Sequence, residues 1–252
     1  MLALFISDLH LQESLPQTAQ AFIDFLQQYA GKVKHLFILG DLFEYWAGDD
    51  DLEVAFHQRI AKALRAVSQA GTKLYWIAGN RDFLIGAQFA TAVGAELLAE
   101  PFVTTIAGQK IVLLHGDAQC TDDIAYMAFR DQVRQPDWQT AFLAQPLAQR
   151  KAIIAGLREG SRAAQQMKSA QIMDVNQAAI DAVFSATDTN LMIHGHTHRP
   201  ARHVTFSDGQ ERQRLVLPDW DCDQAPTRGG YLALCADGSM TRLDVRGNRL
   251  ML

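Results

Sequence analysis

Short apolar runs alternate with amphipathic stretches through the first half of the chain. Leu2 to Ile6, Leu36 to Leu39 and Leu74 to Ile77 are continuous runs of strand length, as expected of strands covered on both faces. Between the first two, Ser14 and Pro16 mark a helix start, and Ala19, Phe22, Ile23, Leu26 and Tyr29 follow at helical spacing until Gly31. Phe56, Ile60, Ala63, Leu64 and Val67 give a second helix its inner face, ending at Gly71. Asp49-Asp50-Asp51 offers that helix an N-cap and is otherwise expected to be solvated. A third helix is expected from about Phe83 to Val93, closing at Gly94. Val103 to Ile106 and Ile111 to Leu114 predict a hairpin around Gly108.

From Cys120 to about Asp188 strand patterns vanish and a helical stretch rich in Ala and Gln takes over. The reading is one domain over 1–252 with a helical insertion, a cap, over 120–188. A strand returns at Leu191-Met192-Ile193. Val204 to Phe206, Leu215 to Leu217, Tyr231 to Leu234 and Met240 to Val245, with turns at Asp208-Gly209 and Asp237-Gly238, predict a second, mostly antiparallel sheet.

Composition narrows the class. A chain of 252 residues, 48% hydrophobic, supports one substantial core. A net charge of −5 excludes a general nucleic-acid binder. Cys120, Cys222 and Cys235 are odd in number and widely spaced, which suggests a reducing compartment. No basic segment precedes Leu2 to Ile6, so this run reads as a first strand and not a signal peptide. No apolar run approaches a bilayer span, and a cytosolic protein that can touch a membrane surface is expected.

Five of the apolar runs end in ligand-type residues: Asp8 with His10, Asp41, Asn80, His115, and His196 with His198. Sites in open α/β sheets form beyond the carboxyl ends of strands, so one sheet edge would receive all seven groups. Each end has a plain structural reading. Asp8 and Asp41 could cap helices, Asn80 could sit in a turn, and His115 could be a core histidine. The recurrence of one pattern, with Gly40, Gly79, Gly116 and Gly195 beside the ends, favours a shared site. Seven oxygen and nitrogen donors exceed one tetrahedral zinc and suit two metals sharing a carboxylate, with manganese, iron or zinc all compatible. Two such ions can clamp an in-line displacement at phosphorus.

The set Asp8-x-His10, Gly40-Asp41, Gly79-Asn80, His115-Gly116 and Gly195-His196-x-His198 resembles the calcineurin-like metallophosphoesterases. The resemblance implies an α/β fold of two stacked mixed β-sheets flanked by helices. It implies Asp8, His10, Asp41 and His198 on one metal, and Asp41, Asn80, His115 and His196 on the other. The longer stretches Ser7 to Leu11, Gly40 to Trp46, Gly79 to Phe83 and His194 to Pro200 resemble those members that hydrolyse UDP-2,3-diacylglucosamine in Gram-negative bacteria. That closer resemblance implies two Mn2+ ions and cleavage to UMP and 2,3-diacylglucosamine 1-phosphate by a hydroxide held between them, attacking the uridine-side phosphorus. It also implies a place in lipid A biosynthesis, peripheral on the cytoplasmic face of the inner membrane. Its catalytic set is Asp41, Asn80, Arg81 and His196, and Asp123, Ser161, Gln165 and Lys168 join Asn80, Arg81 and His196 as substrate contacts. Gln165 stands where that group carries Asn.

Arg81 occupies a position where many phosphatases of the family have His. An arginine cannot donate a proton near neutral pH but can hold phosphate oxygens, which favours a phosphoanhydride substrate whose leaving phosphate needs no proton. The plain alternative is a surface arginine paired with Asp82. In the insertion, Phe142, Leu143, Leu147, Ile153, Ile154 and Leu157 accompany Arg150, Lys151, Arg158, Arg162 and Lys168 against Glu159 alone over 148–170, a local charge of +4 (five minus one). Such a basic, apolar patch is expected to receive acyl chains and meet an anionic membrane. The competing readings are another cytosolic metallophosphoesterase, acting on nucleotides or phosphoproteins, and a metal-free scaffold. His194 is assigned to structure.

Overall fold

In the computed structural model, which describes residues 1–167, 174–207 and 209–251, the three early apolar runs lie side by side. β1 (Ala3–Ile6), β2 (His35–Leu39) and β3 (Lys73–Ile77) pair in parallel through the crossovers α1 (Pro16–Tyr29) and α2 (Ala55–Gln69). α3 (Ala87–Val93) leads into β4 (Ala95–Leu98), which adds to the parallel run. β5 (Phe102–Ile106) and β6 (Gln109–Leu113) open a second sheet as a hairpin. Four helices follow: α4 (Ile124–Val133), α5 (Pro136–Leu143), α6 (Leu147–Met167) and α7 (Gln177–Thr187). β7 (Leu191–His194) then lies parallel to β6, and the hairpin of β8 (Arg202–Ser207) and β9 (Gln210–Val216) joins it through β9. β10 (Gly230–Leu234), β11 (Met240–Asp244) and β12 (Arg249–Leu250) complete the chain. The sheet orders are β12-β11-β10-β1-β2-β3-β4 and β5-β6-β7-β9-β8.

Strand alternation explains the unbroken apolar runs. Ala3, Phe5, Phe37, Leu39 and Ile77 face the second sheet and meet Ile111, Leu113, Ile193 and Leu215. Their neighbours Leu4, Ile6, Leu36, Ile38, Leu74 and Trp76 face the helices, packing on Phe22, Leu26, Ile60 and Leu64. Both faces are therefore buried. On the far side, Ile180 and Phe184 of α7 cover Val112, Leu114 and Met192. Within the 120–188 segment, α7 thus covers the second sheet, which leaves α4 to α6 as the expected cap, with Phe142, Ile153 and Ile154 packed against the main core.

Three expectations change. The last strands do not extend the second sheet: β10 pairs antiparallel with β1, because Gly230 to Leu234 are buried on both faces and need a central place. α3 begins at Ala87, not Phe83, and the half-exposed β4 follows it, a strand too short and too polar at Glu96 to show in the pattern. The acidic run caps a different helix. Val54 precedes α2, whereas Asp49 accepts from the backbone N–H groups of Gly86 (2.9 Å), Gln88 (2.9 Å) and Phe89 (3.0 Å) at the start of α3. Asp51 is fully buried rather than solvated.

Replacing Asp49 with Ala leaves those donors without their acceptor. Asp49→Ala is expected to destabilise the fold by about 1–2 kcal/mol, read as a lower urea midpoint. An unchanged midpoint would show that water replaces the cap at no cost.

Candidate metal centre

β1, β2 and β3 are parallel in one sheet, and β6 and β7 are parallel in the other, so the turns after all five strands gather at one edge. Three of these turns are strained. Asp8 (φ 55°), His10 (48°), Asp41 (53°), His196 (68°) and His198 (54°) all occupy the left-handed region. Among the described residues only Ala107 and Asp188 share that region without being glycine. Cross-bonds between turns hold the strain. The Leu9 and His10 N–H groups donate to Asp41 O (2.9 and 3.0 Å), Arg81 N–H to Asp41 Oδ1 (2.8 Å), and His196 N–H to Asp8 Oδ2 (2.8 Å). A side chain at Gly195 would collide with Asp8 Oδ2 and Ser7 Oγ, which explains the glycine by space rather than by φ.

Two clusters of donor atoms result. In the first, His10 Nε2 and His198 Nε2 lie 3.2 Å apart, His198 Nε2 is 3.4 Å from Asp8 Oδ1, and His10 Nε2 is 3.9 Å from Asp41 Oδ2. In the second, Asn80 Oδ1 is 2.9 Å from both His115 Nε2 and His196 Nδ1, and His115 Nε2 is 3.6 Å from Asp41 Oδ1. The two oxygens of Asp41 therefore face different clusters. Asp8 Oδ1 is buried and has no hydrogen-bond partner. An orphaned carboxylate oxygen beside converging imidazoles, in a donor set of oxygen and nitrogen without thiolate, fits divalent cations.

Two carboxylates and a backbone carbonyl outside the clusters orient the imidazoles. His10 Nδ1 stands 3.0 Å from Glu44 Oε2, His198 Nδ1 3.8 Å from Asp219 Oδ2, and His115 Nδ1 2.8 Å from Leu39 O. Each arrangement turns Nε2 toward the centre. Burial opposes ionisation of Glu44, but His10, Arg81 and Arg158 overcome it and hold its pKa down to about 2. Burial lowers the His115 pKa, yet the Asp41 and Asp8 carboxylates outweigh it and lift it to about 9. Burial, with His115 beside it, pushes His196 down to about 4.

The family model for calcineurin-like phosphoesterases matches residues 1–200. The chain belongs to this family. Relatives named UDP-2,3-diacylglucosamine hydrolase include that of Bordetella pertussis, 48% identical over 92% of this chain and 91% of its own. That of Aromatoleum aromaticum is 50% identical over 90% and 91%, and that of Cellvibrio japonicus 46% over 98% of each. The family carries a dimetal centre, and the two donor clusters are the candidates for it.

In this phosphoesterase several supporting residues escaped the sequence reading. Asp82 is not a surface partner of Arg81. It is fully buried and accepts from the N–H groups of Asp41 (3.2 Å), Leu42 (2.9 Å) and Gly79 (2.9 Å), bracing two turns at once. Burial, then the nearby Asp41, raises its pKa to about 6. Asp117, also fully buried, accepts from Tyr126 Oη (2.8 Å) and Arg130 Nε (2.8 Å). Tyr126 stacks on His196 with centroids 6.1 Å apart, and Arg134 donates to Gly79 O (2.9 Å). The available signal was the spacing of Tyr126, Arg130 and Arg134 on one face of α4.

The cap departs from its expected charge role. Arg150 pairs with Asp50, Lys151 with Asp51 (2.5 Å), and Arg158 with Glu44, so these three charges dock α6 onto the 44–51 loop and are not a free basic surface. Phe142 is buried against Trp138, while Leu143 and Leu157 remain exposed, joined by Ile124 and Phe129. Asp123 is buried as the N-cap of α4, accepting from Tyr126 N–H (3.1 Å). The side chains of Ser161 and Gln165, and all of Lys168, lie outside the described residues.

His194 behaves as expected of a structural histidine. Its Nδ1–H donates to Gly195 O (2.8 Å), and Arg214 Nη1 donates to its Nε2 (3.0 Å). Burial, reinforced by Arg214, lowers its pKa from 6.5 to about 3. The unfolded chain therefore takes up a proton below pH 6.5 that the folded chain refuses, and stability falls as pH drops from 6.5 toward 3. In metal-stripped protein, urea unfolding at pH 6.5 and 5 should show His194→Asn less acid-sensitive than the native chain by about 2 kcal/mol. Identical pH dependence in both proteins would remove the role given to this burial.

Proposed function

We propose that this phosphoesterase hydrolyses the pyrophosphate of UDP-2,3-diacylglucosamine to UMP and 2,3-diacylglucosamine 1-phosphate, a step of lipid A biosynthesis, with two manganese ions. The observation that carries the reading is a two-cluster donor set lying beneath a docked helical cap. The names of relatives sharing nearly half of this chain's residues support the substrate. Asp8, His10, Asp41 and His198 would hold one ion, and Asp41, Asn80, His115 and His196 the other, with Asp41 between them. Manganese suits this oxygen and nitrogen set. When bound, such ions supply an activated water and offset charge at phosphorus in an in-line displacement.

The protein's own groups account for the choice of bond. Arg81 follows Asn80 at the rim, anchored by its N–H to Asp41 Oδ1, and its guanidinium meets the phosphate oxygens. No group at this position delivers a proton to the departing oxygen, and a leaving phosphate needs none. Asn80 and His196 face the reacting phosphoryl group, and Tyr126 stacked on His196 holds that ring in place. Asp123, Ser161, Gln165 and Lys168 of the cap segment contact the diacylglucosamine portion. No helix among the described residues is long and apolar enough to cross a membrane. The exposed Ile124, Phe129, Leu143 and Leu157 give the cap its apolar surface for acyl chains and for peripheral contact with the cytoplasmic face of the inner membrane.

Incubating the protein with UDP-2,3-diacylglucosamine and Mn2+ should release UMP, and Asp41→Ala should release none. Arg81→Ala should lower kcat by roughly 10²-fold with metal content unchanged, the scale for losing one donor to transition-state charge. Metal lost together with activity in Arg81→Ala would refute its phosphate role. Equal rates on a water-soluble UDP-sugar would favour a nucleotide phosphodiesterase instead.

A further inference from the structure

Glu44 is the one residue of the 44–51 loop that meets both a ring of the donor clusters and a helix of the cap. Its Oε2 stands 3.0 Å from His10 Nδ1, and its Oε1 receives Arg158 Nη2 from α6. Its backbone N–H donates to Leu11 O (3.2 Å), fixing the residue to the turn that carries His10. The carboxylate is largely buried, and the Arg158 guanidinium lies over the Tyr45 ring, 5.6 Å from its centroid. The other two docking pairs of α6, Arg150 with Asp50 and Lys151 with Asp51, touch no donor residue of either cluster.

We propose that Glu44 couples docking of the cap to cation binding at the cluster of Asp8, His10 and His198, with Arg158 and Glu44 as positioning residues. The inference rests on the ligand set given above. A carboxylate on Nδ1–H fixes the tautomer that leaves Nε2 free to bind, and it strengthens that nitrogen as a donor. Arg158 pins the carboxylate in that pose. When α6 undocks, Glu44 loses the Arg158 contact that holds its carboxylate toward His10. By linkage, a cation that needs His10 in this pose must stabilise the docked cap by the same free energy. Only this ion should report on the docking of α6, since no charge on α6 is paired with an outer partner of His115 or His196 among the described residues.

Position and charge make opposite predictions for Arg158. Removing a cation near a cation site tightens binding if simple electrostatics governs. It weakens binding if Arg158 acts by holding Glu44. The test is calorimetric titration of Mn2+ into the metal-stripped full chain, comparing the native protein with Arg158→Gln, Glu44→Gln, Arg150→Gln and His10→Ala. Two sites are expected in the native protein, and His10→Ala should lose one. Arg158→Gln and Glu44→Gln should weaken that same site by about tenfold or more, the range for outer partners of ligating histidines. The second site should stay as it is, and Arg150→Gln should change neither. Mn2+ should also slow hydrogen exchange along the described part of α6 in the native chain and do so less in Arg158→Gln.

Unchanged or tighter binding in Arg158→Gln would overturn the coupling, as would equal weakening of both sites by Arg150→Gln. Urea unfolding of the stripped variants separates a positioning effect from misfolding, and Arg158→Lys, which keeps the charge, should recover part of the affinity. If His10→Ala kept both native sites, the ligand set itself would fall. If His10→Ala lost one site while Arg158→Gln lost nothing, only the coupling would fall.

Discussion

The structure depends on packing ionisable groups against one another where water cannot reach them. Asp8, Asp82, His115 and His194 are fully buried, and Asp41 is nearly so. A buried carboxylate without a partner is costly, so each must be answered by backbone N–H groups, imidazoles or a cation. Asp82 is answered by three backbone donors, and Asp41 by Arg81 N–H and two imidazoles. Asp8 is answered only in part: its Oδ2 accepts from Ser7 Oγ and His196 N–H, while its Oδ1 makes no hydrogen bond and has only the His198 imidazole 3.4 Å away. That remaining need is the physical reason a metal centre sits here. The same need explains why five residues in three of the turns tolerate left-handed backbone, because relaxing any one would withdraw a donor from the rest.

What was legible in the sequence followed from local pattern. Apolar runs followed by Asp, Asn or His showed the strands and the donors together, because strand burial and donor identity are both properties of adjacent residues. The parallel order of the strands then brought the donors to one edge without further information. The placement of β10 beside β1 was not legible, since a hairpin pattern does not say which sheet it joins. Asp49 was read correctly as a cap but for the wrong helix, because the N–H groups it meets belong to residues 86–89.

The supporting carboxylates were hidden for the same reason. Glu44 and Asp82 lie inside motifs that were read, yet nothing near them in the chain reveals that one orients His10 and the other braces Asp41 and Gly79. Asp219 reaches His198 from the connection between β9 and β10. Asp117 was visible beside His115, but its partners Tyr126, Arg130 and Arg134 arrive from α4. Donors to a cation can be recognised by type. Groups that orient those donors are recognised only by distance, because carboxylates serve equally well on a solvated surface.

The charge of the cap shows how far composition can mislead. Five cations against one anion over 148–170 suggest a surface for anionic lipid. Three of those cations instead answer acids of the 44–51 loop, and that loop follows directly from the turn that carries Asp41. The excess on α6 and the acidic run at Asp49 to Asp51 are two halves of one docking interface, each appearing unbalanced when read alone. Those three cations are therefore committed within the protein and not available to an anionic surface. A helix anchored by ion pairs to the loop that follows Asp41 is also placed by whatever holds that loop. Ion pairs thus act with the apolar packing of Trp138, Phe142, Ile153 and Ile154 against the main core to align the cap with the metal centre.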